Sequence, residues 1–189
     1  VPRKRRIHRE HILEAALNLM REEGFEHFTA RKIADHLKAS TQPIYKEFTN
    51  MDDLKVNLTD YVIDMLGEKV FRLHDEGTGL KEACINYIQF ASEEQTLFSA
   101  LFTHGELSIV TLQTFIEDSL HKAISRTEGL ENLTESDRDS LLSIIWPTIF
   151  GVAVLTAQNV STYEEESLST RAENIVDHSV SVWKDFQKV

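Results

Sequence analysis

The side chains best suited to chemistry gather near the N-terminus, where one short stretch holds Thr29, Arg31, Lys32, Ser40, Thr41, Gln42, Pro43, Tyr45 and Lys46. A glutamine amide offers a paired donor and acceptor to the edge of adenine, and a threonine hydroxyl or methyl can meet a base edge. Tyrosine, lysine and arginine suit phosphate oxygens. Just upstream lie Arg3, Lys4, Arg5, Arg6 and Arg9, a basic arm that either solubilises the chain or enters an adjacent minor groove. The chemistry on offer is recognition of double-stranded DNA rather than bond making.

No other constellation competes with it. The single cysteine, Cys84, lies in an apolar helical pattern and forms no internal disulfide. The local pairs His8 with His11 and His104 with Glu106 do not match zinc-binding spacings, so no metal and no other cofactor is expected. Gly-x-Ser-x-Gly, a phosphate loop and a nucleophile with an assignable base are all missing, so no catalytic residue is assigned and the chain is not read as an enzyme.

Charge agrees with this reading once it is divided along the chain. The net charge is −11, yet residues 1–50 hold 10 Lys and Arg against 7 Asp and Glu, whereas residues 51–189 hold 10 against 24. One end attracts DNA and the body repels it. With no apolar run behind the basic N-terminus there is no secretory signal, and a lone cysteine fits the cytoplasm. The apolar stretch from Leu141 to Ala157 contains Ser143, Pro147, Thr148, Gly151 and Thr156. It is also shorter than the roughly 20 residues of a membrane span, so it is read as a buried helix with no membrane partner.

The elements that position these residues follow from apolar spacings of three and four, which predict an all-α chain. A first helix starts near Arg9 with Ile12, Leu13, Ala16, Leu17 and Met20 inward, and Gly24 stops it through a left-handed cap. Thr29 caps a second helix with Ile33, Ala34 and Leu37 inward. After a four-residue turn Ser40 caps a third, with Pro43 in its first turn and Ile44 and Phe48 fastening it down. Asn50 caps a fourth that runs towards residue 75, before the break Glu76-Gly77-Thr78-Gly79. Two short helices pattern on Leu80, Cys84, Tyr87, Ile88 and Ala91, then on Leu97, Phe98, Leu101 and Phe102. A longer one from Glu106 turns Ile109, Leu112, Phe115, Ile116, Leu120 and Ala123 inward. Thr134 and Asp137 form a capping box for the next, which runs to about Val160 and which Pro147 should kink. After the acidic loop Glu164-Glu165-Glu166, the last helix sets Leu168, Ala172, Ile175, Ser179, Val182 and Phe186 in a seam for another helix, flanked by Val176, Val180 and Trp183.

Ile12, Ala15, Ala16, Gly24, Phe25, Thr29, Ile33, Ala34, Ser40, Ile44, Tyr45, Phe48, Asp53 and Leu54 occur in an order that resembles the tetracycline-repressor (TetR) family of one-component transcriptional regulators. The resemblance implies a helix-turn-helix DNA domain over residues 1–50 and a ligand-binding and dimerisation domain over 51–189, connected by the helix at about 51–75. It implies a homodimer released from a pseudo-palindromic operator by a small-molecule effector. The implied effector pocket draws on Cys84, Tyr87, Phe98, Phe102, His104, Trp146 and Phe150. The implied dimer interface uses the last two helices, through Ile149, Val152, Ala153, Ile175, Ser179, Val182 and Phe186. Three positions depart from the family's habit: Lys38 at a turn that often has glycine, Glu47 before Phe48, and Met51 where lysine often reaches a phosphate. Glu47 and Met51 leave open a second use of the same fold, a dimeric protein-interaction module with weak or lost DNA binding.

Overall fold

The computed structural model describes residues 7–73, 78–105, 107–160 and 165–187, with the side chains of 165–167 left aside. The arm residues Arg3 to Arg6, the break at Glu76-Gly77, Glu106 and Glu164 lie outside them. The described residues form helices α1 (Arg9–Glu23), α2 (Ala30–His36), α3 (Gln42–Glu47), α4 (Met51–Lys69), α5 (Leu80–Glu93), α6 (Gln95–Phe102), α7 (Ile109–Ser125), α8 (Glu135–Ala157) and α9 (Glu165–Phe186). The all-α fold is as the spacings predict. Two compact units emerge, residues 1–64 with 96–111 and residues 65–95 with 112–189. The first thus takes in most of α4 and residues 96–111, beyond the boundary at residue 50 expected from sequence.

In the first unit, α1 buries Ile12, Ala16, Leu19 and Met20 and packs on α2 and α3. Gly24 ends α1, but not in the left-handed helical well. Its φ of 67° and ψ of −154° belong to a region essentially closed to residues with a Cβ, so glycine is needed even more strictly than a left-handed cap requires. Phe25 and Phe28 meet at a tilt with centroids 5.0 Å apart just beyond it. Thr29 caps α2 as expected, its hydroxyl accepting from the Lys32 amide at 3.3 Å. Asn50 caps α4 through the Asp53 amide at 2.8 Å, and the Asp53 carboxylate in turn accepts from the Thr49 amide at 2.8 Å.

In the second unit, α5 packs against both α8 and α9, and α8 against α9. The Thr134–Asp137 capping box is present at the start of α8. Lys81 on α5 meets Asp177 on α9 at 2.7 Å, and the Trp183 indole donates to the Ser140 hydroxyl at 3.2 Å. The helix α8 has 23 residues and is apolar and long enough to cross a membrane by those criteria alone; Pro147 lies inside it. Its inward side, Leu141, Ile145, Ile149 and Ala153, is fully buried in this unit.

The inward faces of three helices differ from expectation. Leu37, expected inside on α2, lies just past its end and is half-buried. Ile109, expected inside, is 37% exposed, because α7 begins at that residue rather than at 106 and its first turn stands clear of the core. On α9 the buried stripe is Leu168, Ala172, Val176 and Trp183, so the expected flanking residues Val176 and Trp183 face the core. The outer part of the expected seam, Val182 and Phe186, is exposed at 47% and 71%.

Candidate nucleic-acid interface

The turn between α2 and α3 decides what α3 can present. The Lys38 amide donates to the Asp35 carbonyl and the Ala39 amide to the Ala34 carbonyl, both at 3.0 Å, and Lys38 itself has a φ of 51°. That pattern is a Schellman motif, which satisfies the orphan carbonyls at the end of α2 and demands one residue in the left-handed region. Glycine usually fills it; here a lysine does, at some backbone cost.

Helix α3 starts one residue later than expected. Thr41, not Ser40, holds the cap position, with no side-chain cap hydrogen bond. The reason lies in the backbone hydrogen bonds: the Thr41 carbonyl accepts from the amides of Ile44 and Tyr45 and so opens the helical ladder. Pro43 sits in the first turn, where a missing N–H costs nothing. Ile44 (1% exposed) is the buried residue of the helix, and Phe48 (2%) seals its end.

With Ile44 turned in, Gln42, Tyr45 and Lys46 turn out. All three are exposed, Tyr45 at 55%, as are Thr29, Arg31 and Ser40. Ile7, Lys38, Ser40, Gln42, Pro43, Tyr45 and Lys46 line one concavity of about 850 Å³, so the expected reading residues of α3 and its preceding turn share a surface with the root of the N-terminal arm. Amide, phenol and ammonium groups with a basic residue beside them can meet base edges and phosphates.

Two of the expected phosphate contacts are otherwise engaged. Lys32 pairs with Glu23 at 2.9 Å, and that hydrogen bond is the first cause holding the Glu23 carboxyl below its ordinary value. Arg9, expected as part of the arm, is half-buried: its Nη1 donates to the Glu47 carbonyl at 2.9 Å, and its guanidinium carbon lies 4.4 Å from the Phe48 ring centroid. A pairing across 38 positions of chain leaves no local pattern, so spacing alone could not reveal it.

The expected effector residues divide between the units. Phe98 and Phe102, with centroids 4.9 Å apart, and the exposed His104 belong to the first. His104 Nδ1 lies 3.0 Å from the Thr103 hydroxyl. In the second, Tyr87 and Trp146 are 5.0 Å apart and Trp146 and Phe150 5.8 Å. Burial pushes the Tyr87 phenol well up and the neighbouring Cys84 thiol up to about 12, so neither ionises near neutrality. Of the seven, Trp146 lines a cleft of about 270 Å³ with Glu117, His121, Asp139 and Pro147.

Ile149 and Ala153 are 0% exposed and Val152 9%, all inside their own unit, and so have almost no surface left for a second subunit. The outer side of α8 carries Pro147, Thr148, Gly151 and Leu155 instead, and nothing stands within 4 Å of a Cβ built on Gly151. On α9, Ile175 and Ser179 are half-buried.

Residues 12–56 match the family of bacterial regulatory proteins, tetR family. No match is found among curated proteins. Among solved structures, a TetR-like transcriptional regulator from Rhodococcus sp. RHA1 superimposes with a TM-score of 0.63 at 18% identity, over 96% of this chain and 98% of that one. A TetR family transcription regulator from Marinobacter aquaeolei VT8 gives 0.61 at 18%, over 89% and 93%. BioQ with its double-stranded DNA operator gives 0.56 at 18%, over 92% and 98%. The chain therefore has the fold of these regulators, and its residues 12–56 match the tetR family.

Proposed function

We propose that this chain, which carries the tetR-family regulatory segment over residues 12–56, is a dimeric transcriptional repressor that a small molecule releases from its operator. The observation that carries the reading is the surface of α3: Ile44 and Phe48 are buried while Gln42, Tyr45 and Lys46 stand free beside a closed turn. Gln42 reads a base, Tyr45 and Lys46 hold phosphates, and Thr41 and Ser40 support them at the start of the helix. Arg31 and Thr29 add contacts at the start of α2. The likeness to BioQ, whose structure contains its double-stranded DNA operator, supports DNA as the partner.

The dimer forms through the outward sides of α8 and α9, namely Pro147, Gly151 and Leu155 with Ile175, Ser179, Val182 and Phe186. Two such reading heads, related by a twofold axis, engage half-sites one helical turn apart, ~34–36 Å. An effector that binds better to the DNA-incompetent state shifts the population and frees the operator. The protein works in the cytoplasm. Helix α4, which contributes residues to both compact units, carries the change.

Selection of duplexes from a random pool by the full-length protein tests the reading. A pseudo-palindromic sequence bound with a steep salt dependence is expected. Gln42→Ala should relax preference at one base pair by ~1–3 kcal/mol, whereas Tyr45→Phe and Lys46→Ala weaken all sequences alike. Sequence-blind micromolar binding would sink the proposal.

A further inference from the structure

Arg9 ties the first residue of one helix to the last residue of another. It opens α1, donates from Nη1 to the carbonyl of Glu47 at 2.9 Å, and lays its guanidinium 4.4 Å from the centroid of Phe48. Glu47 ends α3. The last carbonyls of a helix have no partner within it and carry its partial negative charge, so a guanidinium there is favoured twice. We infer that Arg9 is a positioning residue for sequence reading, setting the angle at which α3 presents Gln42 and Tyr45 instead of touching phosphate itself. This rests on the proposal that α3 reads DNA.

The inference follows from how little else holds α3. The helix has six residues and buries one of them, Ile44. Its N-terminal cap residue, Thr41, makes no side-chain cap hydrogen bond. A short helix anchored near its middle can pivot. Phe48, buried at the C-cap, fixes its rotation with Ile44, and at that end a single side chain takes up the terminal carbonyl and covers the Phe48 ring, which sets the tilt.

Arg9 is itself held. The amide of His8, the residue before it, donates to His11 Nδ1 at 3.1 Å, which closes the first turn of α1 before the arginine reaches across. The chemistry also favours arginine over lysine. A planar guanidinium lies flat on a ring while pointing an in-plane N–H at a carbonyl, whereas a round, strongly hydrated ammonium does not combine the two.

The full-length protein and its Arg9→Lys and Arg9→Met variants, titrated against a duplex selected by the wild type and against a scrambled one over a range of salt, test this. Both variants should lose about tenfold or more on the selected duplex, the scale of a charged hydrogen bond. Affinity for the scrambled duplex, and the slope of log affinity on log salt, should not change. Restored affinity in Arg9→Lys, with an equal loss on both duplexes and a slope shallower by about 0.9 in Arg9→Met, would make Arg9 a phosphate contact and overturn the inference. A lower melting temperature with an unchanged ratio of selected to scrambled affinity would overturn it as well. If Arg9→Met does not fold, the ratio in Arg9→Lys decides alone. A wild type that selects no sequence brings down the DNA-reading proposal and this inference with it, and that result is distinct because it appears before any substitution.

Discussion

The amide of Ala39 reaches back to the carbonyl of Ala34 at 3.0 Å, and it can do so only because Lys38 between them takes a φ of 51°. Side chains with a Cβ pay about 1–2 kcal/mol for the left-handed region, and glycine pays part of that back as chain entropy in the unfolded state. Lys38→Gly should therefore raise stability by up to about 1 kcal/mol in urea unfolding. Lys38→Val should lower it, since a β-branched side chain fits this region worst. Equal stability of the three proteins would show that the turn is not strained.

Arg31 and Lys32 are neighbours in sequence with unequal prospects. Lys32 is engaged by Glu23, whereas Arg31 is exposed. Arg31→Ala should shorten the salt slope of operator binding by about 0.9, and Lys32→Ala should leave it nearly unchanged. Because Glu23 has a lowered folded-state pKa, the stability it contributes is present above its unfolded value and lost as pH falls through the folded one. Removing Lys32 should flatten that acid dependence, which unfolding curves between pH 3 and 6, an interval of about the ordinary carboxylate range, would record.

The two sides of the last helices predict opposite phenotypes. Phe186→Asp and Val182→Asp, on the exposed side of α9, should yield folded monomers in sedimentation equilibrium. Ile149→Ala, at a fully buried site on α8, should cost about 2–5 kcal/mol of stability and leave association of the folded chains intact. A dimer that survives Phe186→Asp together with Val182→Asp contradicts the assigned interface.

Cys84 should be inert in the folded protein. Its thiol is raised from 9.0 to about 12 by burial alone, so alkylation by iodoacetamide at pH 8 (about the ordinary thiol range) should follow global unfolding. The sign of the linkage is clear: above pH 9.0 the unfolded chain releases this proton and the folded chain keeps it, so stability declines as pH rises towards about 12. Cys84→Ala should make that decline shallower. Rapid labelling under native conditions would contradict the burial.

The order of the helices and the buried faces of α1 and α5 were legible because each has one apolar stripe, and a single stripe has one place to go. On α9 two apolar stripes lie side by side, Leu168–Ala172–Val176–Trp183 and Ile175–Ser179–Val182–Phe186, and periodicity does not say which of them meets α5 and α8. The outward face of α3 was legible through Ile44 and Phe48, which fix its rotation. The engagement of Arg9 and Lys32 was hidden from the sequence for one reason. Their partners, Glu47 and Glu23, lie beyond the reach of any local pattern, and a cation already spent on a protein acceptor looks the same in sequence as a free one. The capping of α3 failed differently, since Ser40 and Thr41 have the same capping chemistry and only the backbone hydrogen bonds separate them.

The brevity of α3 has a further consequence. One buried isoleucine and a seal at its C-terminal end hold the helix, so its outward letters carry almost none of the fold's stability. Gln42, Tyr45 and Lys46 can be exchanged for other side chains without disturbing what lies beneath. Mutation can thus explore new operators at little risk to folding, and a designer could retune this protein to a chosen DNA sequence by rewriting three positions while leaving the mount as it is.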